Sequence, residues 1–177
     1  LQDNGTYKGP STSTGNRERP WTRVGGGDGM HVAANPTNSD ILYYGFQYGN
    51  YSRRDLSTGE TYRITPTHKL GEDRYRYNWN SPVNLSHHNP DIVYFGSQKL
   101  SRSMNEGKDW TTISPDLSNS LPNGDVPYST LTTIAESPLS FSIIWTGTDD
   151  GNIHLTQDGG NSWTKVSNQL PQYLWVS

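Results

Sequence analysis

The chain has 177 residues and a formal net charge of −3, from 14 basic and 17 acidic side chains. Only 30% of residues are hydrophobic, yet 11% are aromatic, which argues against a disordered chain, and no apolar run approaches the length of a membrane-spanning helix. The mild acidity predicts no nucleic-acid partner, and the absence of cysteine excludes disulfides and thiol catalysis. With 18 Gly and 11 Pro, the composition indicates a turn-rich all-β protein.

Three segments of the chain repeat at a constant spacing. Each is a short run of β-branched and aromatic residues that follows a Pro turn and is closed by a glycine. The closing glycines are Gly45, Gly96 and Gly147, each 51 residues from the next. The aromatic residues that recur in these runs are Tyr44, Phe95 and Trp145. Short runs bounded by Pro and Gly are typical of β-strands rather than helices.

An octapeptide of the form Ser/Thr-x-Asp/Asn-x-Gly-x-x-Trp follows two of these runs, at 103–110 and 156–163. This pattern is the Asp-box, or BNR repeat. Its defining residues are Ser103, Asn105, Gly107 and Trp110 in the first copy and Thr156, Asp158, Gly160 and Trp163 in the second. An Asp or Asn side chain accepts hydrogen bonds from its own turn, and Gly permits a positive φ. The motif therefore predicts a structural turn rather than a catalytic group.

A period near 50 residues with four strands per period, lettered A to D, indicates the blades of a β-propeller. In the second repeat the strands are predicted around 77–85, 92–96, 100–104 and 110–113. We expect the late strands of a preceding blade in 1–24, whole blades in 25–66, 67–115 and 116–168, and the first strand of a following blade in 169–177. The prediction is an all-β arc of about three blades plus a split one. Its open edges would be covered by the remaining blades of a longer chain or by a second copy.

Strand direction divides the turns between two faces. The D-to-A loops and the B-to-C tips share one face, here called the loop face, and the Asp-boxes lie on the other. The candidate ligand-binding residues on the loop face are Gln47, Tyr48, Arg76, Asn78, Trp79, Asn80 and Gln98. Aromatic rings beside amides and Arg suit a glycan or a polar peptide. The alternative is that most of these side chains satisfy loop backbone and contacts between blades.

Three carboxylates of the same face, Asp3, Asp28 and Asp149, are the candidate catalytic residues, because glycoside hydrolysis uses paired carboxylates. No metal site or cofactor is predicted. His87 and His88 lack metal-ligand spacing, which favours a solvated loop. The 149–152 run with Asp158 is a candidate Ca²⁺ site, but the EF-hand spacing is absent and a turn is favoured.

The repeats resemble the Asp-box propellers of the sortilin and xyloglucanase type, and in particular the exported bacterial members labelled glycosyl hydrolases. The resemblance rests on the runs at 1–5, 25–29, 78–80, 110 and 113–117. It implies a periplasmic, cell-surface or extracellular location. The tip at 45–50 lacks the carboxylate that xyloglucanases carry there, and the Arg residues that sialidases need are missing. These departures favour a binding or scaffold module for a protein or glycan, with part of a glycoside hydrolase as the alternative.

Overall fold

The computed structural model describes residues 3–10, 21–122 and 124–177, and these ranges contain only strands and turns. The described part of the chain offers no helix with the length and apolarity that crossing a membrane requires. The strands are β1 Thr6–Lys8, β2 Thr22–Gly25, β3 Val32–Ala34, β4 Ile41–Phe46, β5 Asn50–Asp55, β6 Thr61–Arg63, β7 Val83–Leu85, β8 Val93–Gly96, β9 Leu100–Ser103, β10 Thr111–Thr112, β11 Leu131–Ser137, β12 Ser140–Thr148, β13 Ile153–Thr156 and β14 Thr164–Lys165.

Three antiparallel sheets of four strands follow one another along the chain, and we call them blades 1 to 3. They contain β3–β6, β7–β10 and β11–β14, with the strands of each sheet in sequence order. Strands β1 and β2 form a separate antiparallel pair ahead of blade 1. All four strands predicted for the second repeat are present, although its first and last strands are shorter than predicted. The sequence repeat is therefore a repeat of one sheet.

The closing glycines occupy equivalent positions near the ends of β4, β8 and β12. Each pairs with an early residue of the next strand, and the pairs are Gly45 with Tyr51, Gly96 with Leu100 and Gly147 with Ile153. A Cβ added at any of the three glycines would come within 2.5–2.6 Å of a neighbouring atom. Close approach of neighbouring groups, rather than backbone conformation, therefore requires glycine at these positions.

The residue two before each closing glycine faces the following blade. Tyr43 and Tyr94 are 1% and 0% exposed there, because blades 2 and 3 respectively pack over them. Trp145 is the third member of this series and is 43% exposed, since no further blade covers it in the described part of the chain. The sequence pattern grouped Trp145 with Tyr44 and Phe95, and that alignment was wrong by one residue.

Each contact between blades combines an apolar cluster with a buried polar contact. Between blades 2 and 3, the Glu136 carboxylate accepts hydrogen bonds from Ser86 Oγ at 2.8 Å, His87 N at 2.6 Å and Tyr94 Oη at 2.7 Å. Between blades 1 and 2, the buried Arg53 guanidinium lies 3.0 Å from the Glu106 carboxylate. These buried partners fix how one sheet stacks on the next, because an unpaired buried charge would be costly.

The turn at 103–110 joins β9 to β10 and is closed by side-chain hydrogen bonds. Ser103 Oγ accepts from Gly107 N at 2.8 Å and from Asn105 N at 3.2 Å. Asn105 Oδ1 in turn accepts from Asp109 N at 2.9 Å. Gly107 has φ of +86°, a conformation that residues with a Cβ resist.

The turn at 156–163 repeats this arrangement between β13 and β14. Thr156 Oγ1 accepts from Gly160 N at 2.9 Å, and the Asp158 carboxylate accepts from Ser162 N at 2.9 Å and Ser162 Oγ at 2.6 Å. The hydrogen bonds from Ser162 and Thr156 lower the pKa of Asp158 to about 2. Trp163 Nε1 donates to the Ile113 carbonyl at 2.8 Å, which ties blade 3 to blade 2.

Residues 169–177 form no strand, although their end makes a contact that also joins consecutive blades. Val176 N donates to the Thr148 carbonyl at 3.1 Å, and Leu131 N donates to the Ser97 carbonyl at 2.7 Å. Both acceptors directly follow a closing glycine, and Leu131 begins the first strand of blade 3. Val176 therefore lies where the first strand of a further blade would begin.

Candidate functional site

The loop face is assembled by one repeated contact between the B-to-C tip of each blade and the loop that enters that blade. The tip side chain accepts a hydrogen bond from a backbone N–H of the entering loop. The three pairs are Asp28 N to Gln47 Oε1 at 3.2 Å, Arg76 N to Gln98 Oε1 at 2.7 Å and Thr130 N to Asp149 Oδ1 at 2.8 Å. These three tip residues are 51 residues apart in the chain. Each anchors the loop above it, which places the tips and the D-to-A loops on one face.

Gln98 and Arg76 are held by further internal contacts. Gln98 is 1% exposed, and its Nε2 donates to the Arg74 carbonyl at 3.2 Å. The Arg76 guanidinium pairs with Asp116 at 2.8 Å and donates to Ser118 Oγ at 3.0 Å. Burial opposes ionisation of Asp116, but hydrogen bonds from Ser118 and Arg76 outweigh it and lower the pKa of Asp116. The Gln98 side chain thus organises the loop that enters blade 2, and Arg76 organises the 113–130 loop.

Asn78, Thr130 and Asp149 form a buried polar cluster beneath the loop face. Asn78 Nδ2 donates to Thr130 Oγ1 at 3.0 Å and to Asp149 Oδ2 at 3.2 Å, and Thr130 Oγ1 donates to Asp149 Oδ2 at 2.7 Å. Burial raises the pKa of Asp149, although the hydrogen bonds from Thr130 and Asn78 oppose that effect. All three residues are at most 3% exposed, so the Asp149 carboxylate is enclosed by protein.

The other two candidate carboxylates differ in accessibility. Asp28 is 6% exposed, and its Oδ1 accepts a hydrogen bond from Asp3 N at 2.8 Å. Asp3 is exposed and has φ of +60°. Of the three candidates, therefore, only Asp3 presents its side chain to solvent. Gln2, which precedes Asp3 in the chain, lies outside the described residues.

Tyr48 and Trp79 form the accessible part of the predicted site. Their rings meet edge to face with centroids 5.1 Å apart, and Tyr48 N donates to the Trp79 carbonyl at 3.2 Å. Trp79 is 41% exposed. The neighbouring Asn80 is fixed by its N–H to Asn78 Oδ1 at 3.0 Å, while Asn80 Oδ1 is buried and has no hydrogen-bond partner among the described residues. We call the Tyr48–Trp79 pair the aromatic platform.

A cleft of about 290 Å³ adjoins the platform, and the sequence did not predict it. Its lining includes Arg63, His68, Arg74, Tyr75 and Tyr77. None of these five residues was among the candidate ligand-binding residues. One signal in the sequence could have indicated this cleft. Tyr75 and Tyr77 alternate in the loop that follows Arg63, the last residue of β6.

Comparison of the sequence with protein-family models and with curated proteins gives no match. Comparison of the fold with solved structures finds similar proteins. The GH74 xyloglucanase of Xanthomonas campestris has a TM-score of 0.56 at 14% identity, over 87% of this chain and 24% of that one. The Niastella koreensis GH74 enzyme has a TM-score of 0.54 at 17% identity, over 82% of this chain and 24% of that one. YCF48 bound to D1 peptide has a TM-score of 0.50 at 16% identity, over 77% of this chain and 39% of that one.

The chain is a partial, open β-propeller. At these identities the comparisons establish the fold alone. The chain spans about a quarter of the length of the two GH74 enzymes and about two fifths of YCF48. Since the similar structures include enzymes and a peptide-bound protein, function has to be inferred from the site.

Proposed function

We propose that this propeller arc is a non-catalytic binding module that holds a protein or glycan partner on its loop face. The observation that carries the proposal is the aromatic platform, in which Trp79 is 41% exposed, whereas two of the three candidate carboxylates, Asp28 and Asp149, are buried in internal hydrogen bonds. A large ring presented to solvent beside fixed polar groups is a common feature of binding surfaces. An exported location is part of the proposal, and it rests on the resemblance of the repeats to those of exported bacterial Asp-box propellers.

Enclosure of the carboxylates argues against the hydrolase alternative. A retaining or inverting glycosidase needs two carboxyl groups that both reach the scissile bond. Asp149 is bonded to Thr130 and Asn78, and Asp28 is bonded to the backbone of Asp3. Of the three candidates only Asp3 is left to meet a substrate, and one carboxylate cannot supply both an acid and a nucleophile or base.

The proposal is tested by screening the chain on glycan and peptide arrays and comparing two matched variants. Trp79→Ala removes the exposed ring on the loop face, whereas Met104→Ala removes a 57% exposed side chain on the opposite face. Binding is expected to fall at least tenfold in Trp79→Ala and to stay within twofold of the parent in Met104→Ala. Equal binding by both variants would overturn the loop-face assignment.

Hydrolysis of aryl glycosides separates the binding module from the enzyme. The module is expected to show no turnover above the buffer rate. Asp28→Asn keeps an Oδ1 that can accept from Asp3 N, so this variant removes the charge while retaining the fold contact. Turnover by the parent chain that disappears in Asp28→Asn would establish the hydrolase alternative instead.

A further inference from the structure

We propose that the cleft lined by Arg63, Arg74 and His68 is a carboxylate-binding subsite for an acidic, extended peptide. The inference deepens the proposed function, on which it rests, by naming the chemistry of the partner. It is carried by two guanidinium groups that have no ion-pair partner among the described residues, by the orientation of one of them, and by the aromatic walls of the cleft.

The two Arg residues of the cleft form no ion pair with any residue that the structure describes. The ion pairs of the described residues use Lys8, Arg53 and Arg76 as their cations. In the same ranges no carboxylate lies within 4.0 Å of Arg63 or Arg74. Two neighbouring guanidiniums that repel one another favour an anion between them, and a carboxylate matches the planar fork of Arg.

The Arg63 guanidinium is already oriented. Its Nε donates to Thr65 Oγ1 at 3.1 Å and one of its terminal nitrogens donates to Asn50 Oδ1 at 3.2 Å. Both acceptors are neutral, so they fix the direction of the side chain without cancelling its charge. A guanidinium has five N–H donors, and the remaining ones are available to a ligand. Because this side chain is ordered in advance, binding costs less conformational entropy.

The walls of the cleft favour a carboxylate over a sugar ring. Tyr75 and Tyr77 meet nearly edge to face with centroids 6.3 Å apart, and His68 meets Tyr75 at 6.4 Å. Tyr75 Oη is hydrogen-bonded to Thr112 Oγ1 at 2.7 Å, and Tyr77 Oη donates to the Pro66 carbonyl. The two Tyr rings are thus held half-buried against each other rather than laid open as a broad stacking face. Ring edges carry positive partial charge, which suits an anion.

The size of the cleft and its position indicate a peptide side chain. A volume of about 290 Å³ is at the lower limit of ligand sites and has room for an acidic side chain with part of its backbone. Tyr77 packs directly on Gly49, beside Tyr48 of the aromatic platform. An extended peptide can therefore place a carboxylate in the cleft and an aromatic side chain on the platform.

The test uses two fluorescein-labelled octapeptides, (Glu-Tyr)₄ and its amide counterpart (Gln-Tyr)₄, in anisotropy titrations of the whole chain. We expect (Glu-Tyr)₄ to bind about tenfold more tightly, since a hydrogen-bonded charge is lost in the amide peptide. Raising the salt concentration should reduce this preference. Equal binding of the two peptides would overturn the proposal.

Matched charge-removing variants locate the effect. Arg74→Gln and Arg63→Gln should each abolish most of the preference for (Glu-Tyr)₄. Lys108→Gln makes the same charge change on an exposed residue of the opposite face and should leave the preference within twofold. A loss in Lys108→Gln equal to that in the Arg variants would show a non-specific charge effect and contradict the site. The near-ultraviolet circular dichroism of each variant checks that it is folded.

An oligogalacturonide is the third probe. Binding of this acidic glycan that depends on Arg63 and Arg74, with no binding of (Glu-Tyr)₄, would overturn the peptide assignment. A ligand from the arrays that depends on Trp79 but not on either Arg would refute the carboxylate subsite and leave the proposed function standing. If no ligand from the arrays binds in a way that depends on Trp79, the proposed function itself is refuted.

Discussion

Removal of the Ser103 hydroxyl tests the chemistry of the repeated turn. Ser103 is 0% exposed, and its Oγ accepts from Gly107 N at 2.8 Å and Asn105 N at 3.2 Å. In Ser103→Ala the buried Gly107 N–H loses its partner, whereas Asn105 is exposed and water can replace its bond. A buried donor left unpaired costs about 1–3 kcal/mol, so we expect the free energy of unfolding to fall by about 2 kcal/mol.

Urea unfolding followed by tryptophan fluorescence measures this loss. With an m-value of about 2 kcal/mol per molar, the midpoint should fall by about 1 M without a change in m. Ser57→Ala is the control, because the Ser57 hydroxyl bonds Asp55 in an exposed turn of blade 1. A Ser103→Ala midpoint as close to the parent as that of Ser57→Ala would refute the role assigned to the buried hydroxyl.

Three further predictions concern blade 3. Stability should be lost as pH falls from about 4 to about 2, because hydrogen bonds lower the folded pKa of Asp158, and Asp158→Asn should remove that part of the urea–pH profile. Gly160→Ala should lower the urea midpoint far more than Gly124→Ala. A Cβ at Gly160, where φ is +101°, would lie 2.7 Å from a backbone oxygen, whereas a Cβ at Gly124 would have no atom within 4 Å. Equal midpoints for the two variants would contradict this. Trp145→Lys should lower the aggregated fraction in light scattering, because it replaces an exposed ring with a charge, whereas Tyr94→Lys should unfold the chain, because Tyr94 is buried. Continued aggregation of Trp145→Lys would show that the exposed face of blade 3 is not responsible.

The order of strands was predictable because its signals are local. Pro turns, closing glycines and the spacing within the two octapeptides each constrain a few neighbouring residues, and the hydrogen bonds of Ser103 and Thr156 span at most four residues. The one-residue misalignment of Trp145 arose because aromatic residues occur on both faces of these strands. Only the packing of blades distinguishes the face that a neighbouring blade covers.

The site was less predictable because its contacts join distant segments. Gln47 and Gln98 were correctly placed at B-to-C tips, but the backbone group that each would meet depends on the path of a long entering loop. The same reason hid the enclosure of Asp149 by Asn78, which is 71 residues away. The cleft between Arg63 and Arg74 depends on the fold of the 66–77 loop, so the alternation of Tyr75 and Tyr77 could not by itself place those rings beside Arg63.

Binding on the loop face is tested most directly by the indole N–H signals of the tryptophans in a ¹H–¹⁵N NMR titration with (Glu-Tyr)₄ or with a ligand from the arrays. Trp79 should show the largest shift, because its ring is exposed on the loop face. Trp110 and Trp163, which lie in the turns of the opposite face, should not move. Shifts at Trp110 or Trp163 with none at Trp79 would contradict binding on the loop face.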